Sequence, residues 1–226
     1  MRALVAGTLL CAGCSLAFPM GEYDEGSGGS GGADAGPECG GFANPPISEI
    51  QESFEGDGPS QELAFNGCGT FQDGELFFNP IAENEYCWIY NTNPRQLTCD
   101  ALTVRLTDPG SQVHGFQRFI YLNAFGTEQR IFILEETGGF NIEVLTPVDT
   151  SFDPEADAWW RLRATRDTLF FETSSDGQSY EVKASGPPPF PLDSVMIQLG
   201  AGAWLAIDPP PPPVSYDCLN VPPPCP

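Results

Sequence analysis

The sequence predicts an all-β protein, a two-sheet antiparallel sandwich pinned by disulfides. Three observations carry that prediction. Between residues 47 and 207, short runs of β-branched and aromatic residues alternate with Gly, Pro, Asn and Asp, the pattern of strands and turns. No sustained 3.6-residue apolar period interrupts those runs. Six cysteines follow the N-terminal stretch, Cys39, Cys68, Cys87, Cys99, Cys218 and Cys225. An even number in an exported chain reads as three disulfides. A metal cluster is the weaker reading, because there is no C-x2-C pair and His114 is the sole histidine.

The predicted strands span 62–66, 75–79, 86–91, 101–107, 118–123, 129–135, 140–145, 158–165, 168–173, 179–182 and 194–200. Side chains on a strand point alternately to its two faces. Leu102, Val104 and Leu106 therefore share one face, with Thr103, Arg105 and Thr107 on the other. Phe140, Ile142 and Val144 repeat the pattern, as do Trp160, Leu162 and Ala164. A turn at Arg166-Asp167 closes the most informative hairpin. It sets Ala164 against Leu169, Leu162 against Phe171 and Trp160 against Thr173 on the core face. The other face opposes Arg163 to Phe170, Arg161 to Glu172 and Trp159 to Ser174, placing opposite charges across from each other. A second hairpin, centred on Asn93 in a turn-rich stretch, would set Cys87 across from Cys99. The other four cysteines then leave three connectivities open. At least one of their bridges should pin the Pro-rich tail to the body or close it on itself.

Two stretches carry a resemblance. Trp159-Trp160-Arg161-Leu162-Arg163, followed by Phe170-Phe171-Glu172-Thr173-Ser174-Ser175-Asp176-Gly177 and Tyr180, is similar to a hairpin found in the concanavalin A-like lectin/glucanase superfamily. Ser53-Phe54-Glu55 resembles that group's opening strand, with Ser in place of Asp. The resemblance implies a jelly-roll sandwich. It implies no single activity, because the fold hosts lectins, hydrolases and structural modules. The Ser-x-Asp-Gly string also occurs in propeller blades, but there it repeats once per blade, and one copy stands here.

The N-terminus reads as an address. Ala3 to Leu10 is an apolar run too short to span a bilayer. Ala12-Gly13-Cys14 resembles a lipobox, with Cys11 where an aliphatic residue is usual. The resemblance implies lipidation at Cys14, and Ser15 implies the outer membrane. A Gly/Ser-rich stretch follows, a flexible tether with a reach of ~25 Å for roughly 20 residues. The expected organisation is a signal peptide over 1–13, lipidated Cys14 and tether over 14–46, the sandwich over 47–207, and a Pro-rich, Cys-containing tail over 208–226 whose polyproline run Asp208–Pro213 covers an edge.

With 31 acidic against nine basic residues, the formal charge is −22. That excludes nucleic acid, which needs clustered cations. Mutual repulsion predicts a soluble monomer, held to the membrane by its lipid. Candidate chemistry is sparse. Glu155-Ala-Asp157 is an incomplete version of the glucanase acid strand, and His114 lies in a Gly/Ser loop; neither predicts catalysis. Asp149, Asp153, Glu155 and Asp157 cluster before Trp159 as candidate calcium ligands. The hairpin face with Trp159, Arg161, Arg163, Phe170 and Glu172 mixes rings and charges, the means by which a protein holds carbohydrate. The expected function is a non-catalytic envelope lipoprotein that binds glycan or another envelope component. The alternatives are a secreted glycosidase-like enzyme or a purely structural envelope protein.

Overall fold

The computed structural model describes residues 39, 41–56, 58–79, 83–110, 113–208 and 212–225. The segments expected as signal peptide, Cys14 and most of the tether lie outside the described residues. The strands among the described residues begin with β1 (Leu63–Asn66), β2 (Gly69–Gln72), β3 (Glu75–Phe78), β4 (Glu85–Asn91) and β5 (Asp100–Asp108). Then come β6 (Phe116–Ala124), β7 (Arg130–Glu136), β8 (Gly139–Ile142), β9 (Thr146–Pro147) and β10 (Trp159–Ala164). The last are β11 (Leu169–Ser174), β12 (Glu181–Gly186), β13 (Val195–Ala203) and β14 (Val214–Asp217). They form a six-stranded sheet, ordered β1-β4-β13-β6-β7-β8, and an eight-stranded sheet, ordered β2-β3-β14-β5-β10-β11-β12-β9. Strands pair antiparallel throughout both sheets.

The interior lies between the sheets and follows the predicted alternation. Leu102, Val104, Leu106, Trp160, Leu162, Ala164, Phe140 and Ile142 are all buried. The β10–β11 register matches the expected one pair for pair, from Trp159 opposite Ser174 to Ala164 opposite Leu169. Val144 departs from it. The strand ends at Ile142, the chain turns with φ +79° at Val144, and that side chain is 49% exposed. Trp160 anchors one end of the core. Its Nε1–H donates to the Asp157 carbonyl at 2.9 Å, and its ring meets Phe140, Phe152 and Phe171 edge-on. The interior also holds an ion pair, Arg118 with Glu135, both side chains 0% exposed. Burial pulls the Arg118 guanidinium down to about 10, against partial compensation from Tyr216 and Asp108.

Two expectations are corrected. The disulfides are Cys39–Cys99, Cys68–Cys87 and Cys218–Cys225, so Cys87 does not pair with Cys99. The chain does not double back after β4. Arg95 bridges to Val195, Gln96 to Pro46, and the Leu97 N–H donates to the Leu192 carbonyl, so the segment crosses toward the other sheet. Asn91 holds that exit, accepting from the Ile197 N–H and donating to the Val195 and Asn93 carbonyls. Cys87 instead meets Cys68, brought beside it by the β1–β4 pairing and the turn at Gly67. The second correction concerns the tail. Expected outside the sandwich, Val214–Asp217 is a buried strand of it, β14, between β3 and β5; residues 209–211 of the polyproline run expected to cover an edge lie outside the described residues. Cys218–Cys225 then closes the following loop on itself.

Candidate functional site

The outward face of the six-stranded sheet carries a groove of about 1030 Å³. Cross-strand registers line its side chains up in rows. One row runs Asn66, Trp88, Gly200, Phe119, Leu134, Asn141 across all six strands. The next contains Gln198, Tyr121 and Phe132, and Glu143 follows at the edge, its N–H donating to the Phe132 carbonyl. A third sets Asn123 opposite Arg130. Tyr86 extends the groove at the other end. From Gln117, opposite Gly202, to Asn123 is six residues along β6, or about 20 Å at ~3.4 Å each.

The groove exists because β13 presents two glycines outward. A Cβ at Gly202 would sit 2.2 Å from the Tyr86 ring, and one at Gly200 would meet the Cys87 carbonyl at 2.1 Å and the Phe119 ring at 2.8 Å. Neighbouring rings therefore lie over bare backbone. Phe119 stacks on Tyr121 at 4.2 Å, and Tyr121 meets Phe132 edge-on at 4.8 Å. Phe119 is fully buried yet stands apart from the inter-sheet core. The half-buried rings of Tyr86, Trp88, Tyr121 and Phe132 offer flat apolar faces, and the amides of Asn66, Asn123, Asn141 and Gln198 supply donor and acceptor groups beside them. Sugars match that combination. Burial, then the Tyr86 phenol, push the Tyr121 hydroxyl up to about 12 against the Arg130 charge. Burial and the Glu136 carboxylate raise the Tyr86 hydroxyl. Both stay protonated donors at neutral pH.

The hairpin face expected to bind ligand lies on the eight-stranded sheet, and its residues do come together. Trp159 is 5% exposed, and a Cβ at Gly177 would lie 2.7 Å from its ring and 3.1 Å from Pro223. The loop of the tail thus covers that end. Glu172 is buried and takes both arginines, Arg161 at 2.6 Å and Arg163 at 2.8 Å. Arg161 lies over the Tyr180 ring at 3.6 Å and Arg163 over Phe170 at 4.1 Å. The charges there satisfy one another.

The four candidate calcium ligands do not converge. Lys183 Nζ sits between two of them, 2.9 Å from Asp149 and 3.1 Å from Asp157. Asp157 is buried and also accepts from the Thr173 hydroxyl and the Asp153 N–H. Asp153 accepts from the Glu155 and Ala156 N–H groups, and Glu155 is exposed. Hydrogen bonds from the Ser151 N–H, Lys183 and the Ser151 hydroxyl hold the Asp149 carboxyl down at about 2. Burial pulls Lys183 down, but its bonds to Asp149 and Asp157 outweigh that and raise its pKa. A built-in ammonium takes the place a divalent cation would need, so these residues do not fit calcium. Among the described residues, the groups of three that could ligate a metal are Cys68, Glu85, Cys87 and Asp217, Cys218, Cys225. Their cysteines are consumed by disulfides.

Catalytic constellations are equally thin. Retaining hydrolysis needs two carboxyls about 5–5.5 Å apart, and the residues lining the groove include one, Glu143. His114 is exposed, 2.9 Å from Glu136 and edge-on to Trp204.

The sequence held a signal for the groove that composition alone did not isolate. Tyr86 and Trp88 alternate with Cys87 and Ile89, Phe119 and Tyr121 with Ile120 and Leu122, and Phe132 sits between Ile131 and Ile133. Strands apolar on both faces, with rings on one of them, mark a second face that is not ordinary solvent surface. On the β10–β11 face the tail loop closes over Trp159, a contact between segments far apart in the chain.

No protein-family model matches the chain, and no curated relative matches it by sequence. Solved structures do. One is a prokaryotic β-1,3-1,4-glucanase (lichenase) from a mouse hindgut metagenome, 14% identical, TM-score 0.53, covering 75% of this chain and 96% of that one. Another is Rv0315 of Mycobacterium tuberculosis, described as a pseudo β-1,3-glucanase, 9% identical, TM-score 0.52, covering 75% and 95%. A third is the GlcNAcα1-4Gal-releasing endo-β-galactosidase of Clostridium perfringens, 10% identical, TM-score 0.50; the alignment covers 75% of this chain and 60% of that enzyme. At such identities the likeness establishes the fold, a concanavalin A-like jelly-roll sandwich. Among the described residues, no helix is long and apolar enough to cross a membrane.

Proposed function

We propose that the chain is a non-catalytic glycan-binding module, monomeric and displayed at the outer membrane by a lipid on Cys14. The observation that carries the binding reading is the groove floored by Gly200 and Gly202 and lined by Tyr86, Trp88, Tyr121 and Phe132. Rings beside amides favour carbohydrate, and a single lining carboxylate, Glu143, weighs against a hydrolase. A solved glucanase of similar fold and a pseudo-glucanase beside it support a sugar ligand as a class. The β10–β11 face is assigned a structural role, since its charges pair internally.

Pull-down on insoluble polysaccharides and a glycan array test the binding reading. Wild-type chain should bind at least one glycan, and Trp88→Ala should lose that binding while keeping the wild-type melting temperature. Silence of the wild-type chain across the array overturns it, and so does product release from any bound polysaccharide. Palmitate labelling that survives Cys14→Ser overturns the anchor.

A further inference from the structure

The groove carries a charge feature that a neutral sugar would not use. In a chain with 31 acidic residues, most cations have acidic partners. Arg95 pairs with Glu62, Arg105 with Asp217, Arg118 with Glu135, Arg161 and Arg163 with Glu172, and Lys183 with Asp149 and Asp157. Arg130 makes no ion pair within 4.0 Å among the described residues, although its side chain lines the same groove as the exposed Glu143. Its guanidinium is laid over the Phe132 ring at 4.3 Å, which orients the planar fork and leaves its N–H edges free. Directly across the strand pair stands Asn123, whose Cβ lies about 4.5–5.5 Å from that of Arg130 by sheet geometry. The Asn123 Nδ2 is buried and has no hydrogen-bond partner. A buried amide without a partner costs about 1–3 kcal/mol. The Asn123 Nδ2 therefore has a donor that no protein group among the described residues takes up. Both groups are donors, and a carboxylate is acceptor-only, with oxygens for each.

We infer that Arg130 and Asn123 form an anion-reading corner at one end of the groove, and that the ligand is a carboxylate-bearing glycan, with the acidic sugar seated there and the rest of the chain lying along Tyr121, Trp88 and Tyr86. This rests on the glycan-binding reading and specifies its ligand class. The rest of the molecule repels an anion at long range. A Debye length of about 8 Å at physiological salt confines that repulsion, so the local donors decide.

The test is an array of uronic- and sialic-acid glycans, their methyl esters, sulfated glycans and neutral glycans, read with wild-type chain, Arg130→Gln and Asn123→Asp. Both substitutions lie on exposed or half-exposed groove positions, and melting temperatures confirm folding. Wild-type chain should bind free acids at least about tenfold more tightly than their esters, the factor one charge-assisted hydrogen bond carries. Arg130→Gln should bring acids to the level of esters. Asn123→Asp supplies Arg130 with its own carboxylate and should abolish the preference. Binding to neutral glycans that Arg130→Gln leaves unchanged overturns the inference and keeps the groove. Binding to sulfated glycans without carboxylated ones overturns the carboxylate assignment. Silence on every glycan overturns both readings.

Discussion

Asp217 offers the sharpest test of how this fold is held together. It ends β14, and only 5% of it is exposed. Burial raises its carboxyl from the ordinary 3.8 to about 6, with the Cys218 N–H and Arg105 pulling the other way and Glu75 and Glu55 adding to the rise. Arg105 approaches only to 3.9 Å from the partly exposed side, and Oδ1 has no hydrogen-bond partner. The folded state therefore keeps its proton between pH 4 and 6, where the unfolded chain has released it. More protons on the native state mean that stability falls as pH rises through that window. Below about pH 4 the contribution of Asp217 is neutral; above about pH 6 the whole penalty applies. The rise from 3.8 to about 6 corresponds to about 3 kcal/mol at 1.36 kcal/mol per pH unit. Asp217→Asn removes the charge, keeps an acceptor for the Cys218 N–H and gives up a weak, screened attraction to Arg105. The net gain at pH 7.5 should be ~2 kcal/mol, about 4–8 °C in melting temperature for a domain this size. Thermal unfolding of both proteins at pH 4 and pH 7.5 measures it, with the gain confined to the higher pH. Equal melting temperatures at pH 7.5, or a less stable variant there, would refute the assignment of a buried, poorly compensated carboxylate.

Lys183→Met should cost about 3–5 kcal/mol, because it strands the buried Asp157 carboxylate beside Asp149. Millimolar calcium should leave the wild-type melting temperature unchanged; a rise of several degrees would contradict the ammonium's role there. Gly200→Ala should cost about 1–3 kcal/mol by urea unfolding, since its Cβ meets the backbone carbonyl of Cys87, whereas the Cβ of Gly202→Ala comes nearest the Tyr86 ring and should weaken binding more than stability. Breaking the disulfides one at a time should rank by the chain they enclose, with separations of 60, 19 and 7 residues for Cys39–Cys99, Cys68–Cys87 and Cys218–Cys225. Loop entropy gives ~4, ~3 and ~2.5 kcal/mol, and non-reducing peptide mapping checks the connectivity itself.

What the sequence determined by itself is local. Alternation at Leu102, Val104 and Leu106 named the core face of β5, because a strand's side chains can go only two ways. The Trp159–Ser174 register was legible because a two-residue turn leaves one way to pair the strands it joins. Where pairing is not local, the sequence carried no such constraint. Cys87 meets Cys68 rather than Cys99 because Asn91 steers the chain across to the other sheet. β14 enters between β3 and β5 because the buried Tyr216 completes a core assembled from segments far away in the chain. The groove belongs to this second kind. Trp88, Gly200, Phe119 and Leu134 come from four strands whose order is set by the packing of whole faces, and only the folded molecule makes them neighbours.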